Sequence, residues 1–336
     1  MPLDTIYLVR HGHRMNWTID YATGIYHSTF LTPTGNPADP TLTAHGVRQS
    51  QELAAYLLSG EYPGPKPWRI YSSPFYRCLQ TIKPSVEALD VEDSGTGKTK
   101  RGVRIENGLG EWFGASTYFD HPSPASISEL HQHFPTIIPD PASGYNDIVH
   151  VIPSTRGETI PQLHNRVATT LAAIIADADA DIRAEEEQEA RNGNDKEALS
   201  SKSILICSHA ATLIAMGRAL TGNMPDDPNI EDFKVYTAGL STYVRRHTPP
   251  PNAEYYTQEE GLSLLAEGTK LLPESEVRVP AWQCGRGVSG GWDCVRNCDC
   301  SFLSGGEERG WHFNGEESFD TGPMNTNENA DEAAKL

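Results

Sequence analysis

Arg10 and His11, with Gly12 directly behind them, put a guanidinium and an imidazole where an apolar run stops. A guanidinium fork fits the oxygens of a phosphoryl group, and an adjacent ring nitrogen can attack the phosphorus. Matching chemistry recurs along the chain. Arg77 lies in Ser72-Ser73-Pro74-Phe75-Tyr76-Arg77, which reads as a helix start with Ser73 as N-cap and Pro74 as first helical residue. A helix amino terminus favours anions, and an arginine there strengthens the field. His209 follows the apolar run Ile204-Leu205-Ile206-Cys207 and precedes an apolar helix at Thr212–Leu220. Glu111 sits among Gly108, Gly110, Trp112, Phe113 and Gly114. Such a setting raises a carboxyl pKa by desolvation and prepares it to donate a proton.

Three short strands are implied beneath these groups: Ile6–Val9, Trp68–Tyr71 and Ser203–Cys207. Arg10, His11 and His209 fall at strand carboxyl ends, where open α/β sheets place ligands. Gly12 is expected to let the chain turn sharply. Thr43 caps a helix through Leu57, and a long helix from about Thr159 to Ala184 carries Leu163, Val167, Leu171, Ile174 and Ile175 at three- and four-residue spacing. A solvated hinge follows, from Glu185 through Asn192-Gly193-Asn194, and Leu240–Arg245 reads as a last strand. Loops are expected at Thr18–Pro40 and Ser116–Ser154, the second with a short helix around Ser128–His133. The alternation predicts an α/β protein, a three-layer α/β/α sandwich on a mostly parallel, doubly wound sheet.

The segments LVRHG, SSPFYRCLQT, GLGEWFG and CSHAAT stand in an order that resembles the histidine phosphatase superfamily, the clan of phosphoglycerate mutases and acid phosphatases, over about residues 5–245. Together with IYLVRHGHRMNW, the segment FLSGGEERGWHF (Phe302–Phe313) is similar to phosphatase-like subunits of fungal transcription factor IIIC and their short relatives. The resemblance implies a phosphoglycerate mutase-like fold and a phosphomonoester hydrolase in which His11 becomes a phosphohistidine. Arg10, Arg77 and His209 would surround the phosphoryl oxygens, with Arg14 and Asn16 as further phosphate-pocket residues. Glu111 would protonate the leaving oxygen and then activate water. No cofactor and no metal are implied. The substrate would be a phosphorylated small molecule or a phosphoprotein, and the likeness to transcription factor IIIC also implies protein partners in RNA polymerase III machinery. Plainer readings compete: the arginines as surface ion-pair partners, His209 as a satisfied core histidine, Glu111 as an acceptor of turn hydrogen bonds. Trp17, Trp112 and Phe113 either line a leaving-group pocket or simply pack.

A net charge of -18 argues against direct nucleic-acid binding. No apolar run approaches a membrane span, and the first strand begins too early for a signal peptide, so a cytoplasmic or nuclear location with reduced cysteines is expected. The phosphatase domain is expected over 1–248 and a packed extension over 249–314, opened by Pro249-Pro250-Pro251. An acidic disordered tail is expected over 315–336. Within the extension, Val277–Trp282 and Ser301–Leu303 look like strands. Cys284, Cys294, Cys298 and Cys300 lack paired zinc-knuckle spacing and read first as reduced structural thiols, zinc second. The Gly95–Thr99 echo of a phosphate loop and the Gly287–Gly291 echo of a serine-hydrolase elbow lack the flanking strand and helix those motifs require.

Overall fold

The computed structural model describes residues 2–20, 22–93, 101–140, 149–192, 201–247, 254–274 and 276–313. The expectations for Gly95–Thr99, Pro249–Pro251, Gly193-Asn194 and the tail from Gly315 lie outside them.

Six strands form the main sheet: β1 (Thr5–Arg10), β4 (Arg69–Ser72), β5 (Val103–Ile105), β7 (Ser203–Ser208), β8 (Leu240–Arg245) and β10 (Trp292–Asp299), in the order β10-β8-β1-β7-β4-β5. β1, β7, β4 and β5 run parallel, while β8 is antiparallel to both β1 and β10. Strand alternation divides the core between the two faces. Ile6, Leu8, Ile204 and Ile206 pack with α4 (Ile160–Asn192) and α5 (Ala210–Thr221). Tyr7, Val9, Leu205 and Cys207 pack with α1 (Ala44–Leu58) and α2 (Tyr76–Asp93). The α/β/α sandwich expected from the sequence is therefore present.

Gly12 serves close approach rather than a special backbone angle. A Cβ there would lie 2.9 Å from the Gly46 carbonyl oxygen, so its lack of a side chain lets the loop after β1 pass against α1. Thr43 caps α1 as expected, its hydroxyl accepting from the Gly46 amide at 3.2 Å.

Several boundaries differ from the sequence reading. α2 begins at Tyr76, and the Asp39 carboxylate caps it by accepting the Tyr76 amide at 2.7 Å. Ser73 Oγ accepts the Phe75 amide only at 3.4 Å and lies closer to His209, 2.7 Å away. α4 continues through the charged run to Asn192. The loop expected at Thr18–Pro40 contains most of a hairpin, β2 (Trp17–Asp20) with β3 (Ile25–Ser28), and β6 (Val151–Ile152) pairs with β9 (Lys270–Leu271). Helices α3 (Ile127–His133) and α6 (Gln258–Ser263) complete the elements.

In the extension, the sheet strand is the cysteine-rich β10, not Val277–Trp282 or Ser301–Leu303. Between Val277 and Trp282 there is only an isolated bridge, Tyr255 to Pro280. Pairing with β8 recruits a segment whose own composition is a weak strand signal. All six cysteines are free. Cys298 and Cys300 are buried beside Ala238 and Leu303, while Cys284 is exposed.

Candidate active site

Sheet register accounts for the meeting of the two histidines. Arg10 is paired with Ser208, so one residue further on each strand His11 and His209 emerge side by side. Their rings lie 5.4 Å apart at 62°. The His11 amide donates to the Ser208 carbonyl at 3.0 Å, and the Ser73 amide reaches the Cys207 carbonyl at 3.0 Å. These bonds extend the ladder into the site and hold three strand ends in line.

His11 is buried, and its Nδ1 donates to its neighbour's carbonyl, Gly12 O, at 2.9 Å. That fixes the tautomer, since a carbonyl can only accept, and leaves the lone pair on Nε2. Burial and then the charges of Arg77 and Arg10 push the His11 pKa well below the ordinary imidazole range, so the ring is neutral at physiological pH. His209 has the opposite character. Burial opposes its charge, but Cys78 and Glu111 outweigh burial and raise its pKa. Its Nε2 lies 2.7 Å from Ser73 Oγ, and its Nδ1 lies 3.3 Å from Glu111 Oε2 and 3.2 Å from Arg77 Nη2. Two like residues are thus pushed in opposite directions by their surroundings.

Arg77 links the site to the body of the protein. Wholly buried, it donates through Nη1 to Ala38 O at 2.9 Å and Asp39 Oδ1 at 3.0 Å, and through Nη2 to Glu111 Oε2 at 3.0 Å. Its Nε, like that of Arg10, has no partner among the described residues. Arg10 Nη1 is braced by the carbonyls of Val235 (2.8 Å) and Arg309. Arg14 donates to Met15 O at 2.9 Å and lies over the Trp17 ring, 5.7 Å from its centre. Burial depresses Arg10 to about 10, and burial with Arg77 depresses Arg14 to about 9, which leaves both charged at neutral pH.

The Glu111 loop is clamped from beneath. Arg166 on α4 donates through Nη1 to Gly108 O at 2.6 Å, while its Nε grips Glu158 at 2.8 Å. Ser208 and Thr212 hydroxyls hold the Leu109 and Gly110 carbonyls at 2.7 and 2.9 Å. Glu106 accepts from the Gly108 amide at 2.9 Å and pairs with His150 at 2.9 Å. These contacts fix the carboxylate against Arg77 and His209.

The expected elevation of the Glu111 pKa is not found. Burial does favour the neutral acid, but His209 at 3.3 Å and Arg77 at 3.0 Å overcome it and hold the carboxyl well below its usual range. Of the residues that flank it in sequence, Trp112 donates its amide to Glu111 Oε1 at 3.1 Å, a turn hydrogen bond, while the charges that set its pKa come from elsewhere in the chain. Trp112 also differs from the pocket reading: it turns into the core against Trp311 and Phe313. Phe113 does line a cavity of about 130 Å³ that opens beside Glu111, with Phe75 and His121, whose ring stacks on Phe113 at 4.9 Å. Trp17 stands behind Phe113, ring centres 6.5 Å apart.

His11, Glu111, His209, Arg10, Arg14 and Arg77 therefore share one region. Asn16 does not join them: it is exposed, and no contact among the described residues ties it to the cluster. The four extension cysteines do not gather with His312, which pairs with Glu231 at 3.4 Å. Sequence reasoning missed Asp39, Ser73 as partner of His209, and Cys78, whose Sγ lies 3.6 Å from His209 Nε2. Asp39 gives no local signal in its Gly/Pro/Thr-rich loop. Cys78 could have been noted as the neighbour of Arg77 at the start of a buried helix.

A family model described as histidine phosphatase superfamily (branch 1) matches residues 6–251. The chain belongs to the histidine phosphatase superfamily. Among curated relatives, the transcription factor tau 55 kDa subunit of Saccharomyces cerevisiae is 27% identical over 317 residues, covering 93% of this chain and 59% of that protein. Ecdysteroid-phosphate phosphatase of Drosophila melanogaster is 33% identical over 125 residues, 32% of this chain and 15% of the relative. The chain thus spans well under two thirds of the length of either. Among solved structures, the ecdysone phosphate phosphatase from Bombix mori in complex with tungstate aligns with 75% of this chain and 96% of its own at 18% identity, TM-score 0.43. No described helix is long and apolar enough to cross a membrane.

Proposed function

We propose that this protein is a phosphomonoester hydrolase working through a phosphohistidine on His11, with 1–248 as the catalytic domain and 249–314 as an extension packed on it. The observation that carries the reading is the convergence of His11, Glu111 and His209, whose reactive atoms lie within 4.8 Å of one another, with Arg77 in contact with two of them. His11 Nε2 attacks phosphorus as the bond from phosphorus to the ester oxygen breaks, and the phosphoryl group passes to the ring. Arg10, Arg14, Arg77 and His209 offset the charge on the non-bridging oxygens, the main service a phosphoryl-transfer site provides. The unpaired Nε donors of Arg10 and Arg77 are ready for those oxygens.

Glu111 accepts from Arg77 and His209, the same donors that a phosphate would take. A phosphoryl group bound to Arg77 and His209 displaces the carboxylate from them and adds negative charge beside it, raising its proton affinity. Glu111 then protonates the leaving oxygen and, as a carboxylate again, takes a proton from the water that attacks phosphohistidine. The aromatic cavity beside Glu111 receives the organic part of the ester. His11, Glu111 and His209 include metal-ligand types, but the surrounding guanidiniums repel a cation and perform its electrostatic work. Hydrolysis of 4-nitrophenyl phosphate tests this reading. Activity should withstand EDTA and vanish in His11→Ala; activity retained in the variant, or lost to chelator, overturns it.

A second reading rests on the likeness to the tau 55 kDa subunit along 93% of the chain. In it the protein contacts transcription machinery in the nucleus through other proteins, its pocket binding a phosphorylated partner without turnover. Selective capture of RNA polymerase III factors by a catalytically inert protein favours that reading.

A further inference from the structure

Arg309 lies 100 residues beyond His209, the last catalytic candidate, yet it forms part of the same wall. Its carbonyl accepts from Arg10 Nη1, so the residue lies directly against a phosphate-pocket arginine. Its backbone is left-handed at φ 50°, an uncommon state for a non-glycine residue that surrounding structure must enforce. The enforcing contacts come from Glu308, whose carboxylate takes His45 Nε2 at 2.5 Å and Gln49 Nε2 at 3.0 Å, while its carbonyl accepts the Thr237 amide at 3.1 Å. Gln49 in turn accepts the His13 amide at 2.8 Å, locking this corner to the loop that carries His11 and Arg14.

The Arg309 side chain is half-buried and has no hydrogen-bond or ion-pair partner among the described residues. Its charge bears on Arg10, Arg14 and His13, and burial together with Arg309 lowers the His13 pKa. In a chain carrying -18, three guanidiniums crowd together here, and the neighbouring Glu308 is already engaged by His45 and Gln49. Glu111 offsets part of the charge on Arg10 and Arg14, and the like charge that remains in these partly buried surroundings favours entry of a further anion.

We propose that Arg309, whose carbonyl braces Arg10, forms a second anion-binding subsite next to the phosphoryl pocket, so that the preferred substrate is a phosphomonoester bearing a second anionic group. The inference rests on the phosphatase reading above and adds the substrate class. It is tested by comparing kcat/KM for 2-carboxyphenyl phosphate and 4-nitrophenyl phosphate in wild type, Arg309→Ala and Arg309→Lys. The ratio should fall about tenfold in Arg309→Ala, the value of one charge-assisted contact, and be largely kept by lysine. A ratio unchanged within about twofold in Arg309→Ala overturns the proposal. Phosphotyrosine peptides with acidic or neutral neighbours form a second pair, and a fall in both ratios extends the preference to a second charge on an adjacent acidic side chain. Calorimetric binding of inorganic pyrophosphate and orthophosphate separates this proposal from the phosphatase reading. Tighter pyrophosphate binding that Arg309→Ala abolishes supports the subsite even if no ester is hydrolysed, whereas equal affinities in wild type refute it.

Discussion

Asp39→Ala should be among the most damaging single changes in the molecule, although Asp39 touches no proposed reacting atom. Its carboxylate is fully buried, accepts from Arg77 Nη1 at 3.0 Å and caps α2 through the Tyr76 amide at 2.7 Å. Removing one partner of a buried ion pair costs about 3–5 kcal/mol, here toward the lower value because Glu111, 3.0 Å from Arg77 Nη2, still offsets part of the surviving charge. Loss of a cap adds roughly 1 kcal/mol. The combined loss approaches the low end of a domain's whole stability, about 5–15 kcal/mol. Asp39→Asn keeps an oxygen for the Tyr76 amide and should lose about 1–3 kcal/mol. Urea unfolding followed by tryptophan fluorescence measures both variants, and Arg77→Met closes the cycle. The double variant should be less destabilised than the two single losses added together, by about 2 kcal/mol, since without the guanidinium no orphan charge remains. Should Asp39→Ala cost below about 1 kcal/mol, in the range of surface changes, or should the cycle prove additive, the account of Arg77 as a buried cation anchored by Asp39 is wrong.

Glu111→Gln cannot exchange a proton with the leaving oxygen, so hydrolysis of alkyl phosphates, whose leaving groups need protonation, should slow by about 10²–10⁴. The 4-nitrophenyl ester, with its good leaving group, should suffer less in the phosphoryl-transfer step; equal burst-phase losses for both esters count against Glu111 as proton donor. His150 bridges Glu106 and Asp177 at 2.9 Å each. Burial disfavours its charge, but those two carboxylates prevail and raise its pKa to about 9. Because the folded value lies above the ordinary ~6.5, its contribution is complete below about pH 6.5 and disappears as pH rises through 9. The thermal midpoint of wild type should therefore fall between pH 7 and 10 more than that of His150→Gln, and parallel profiles would remove His150 from the clamp beneath the Glu111 loop.

Strand ends were the most legible part of the molecule. Ile6–Val9 and Ile204–Cys207 are apolar on both faces because helices cover both, and such runs stand out even in a short window. Once those strands are adjacent and parallel, the meeting of His11 and His209 follows from register. What escaped the sequence depends on distant contacts. Ser73 has the chemistry of a cap, but the imidazole of His209, supplied from another strand, competes for its hydroxyl and Asp39 takes over the cap. Glu111 was misjudged because chain neighbours were used as its surroundings, whereas residues 34 and 98 positions away set its charge. β10 was missed because its sequence gains strand character only from pairing with β8.

The brace on Arg10 also has a temporal side. Its carbonyl partners are at residues 235 and 309, one of them 299 positions downstream. A chain made from its amino terminus can pair β4 with β5 early, yet this guanidinium has no complete cradle until nearly all the described sequence has left the ribosome. A fragment ending before residue 309 would keep His11 and lose one of the two carbonyls that hold Arg10.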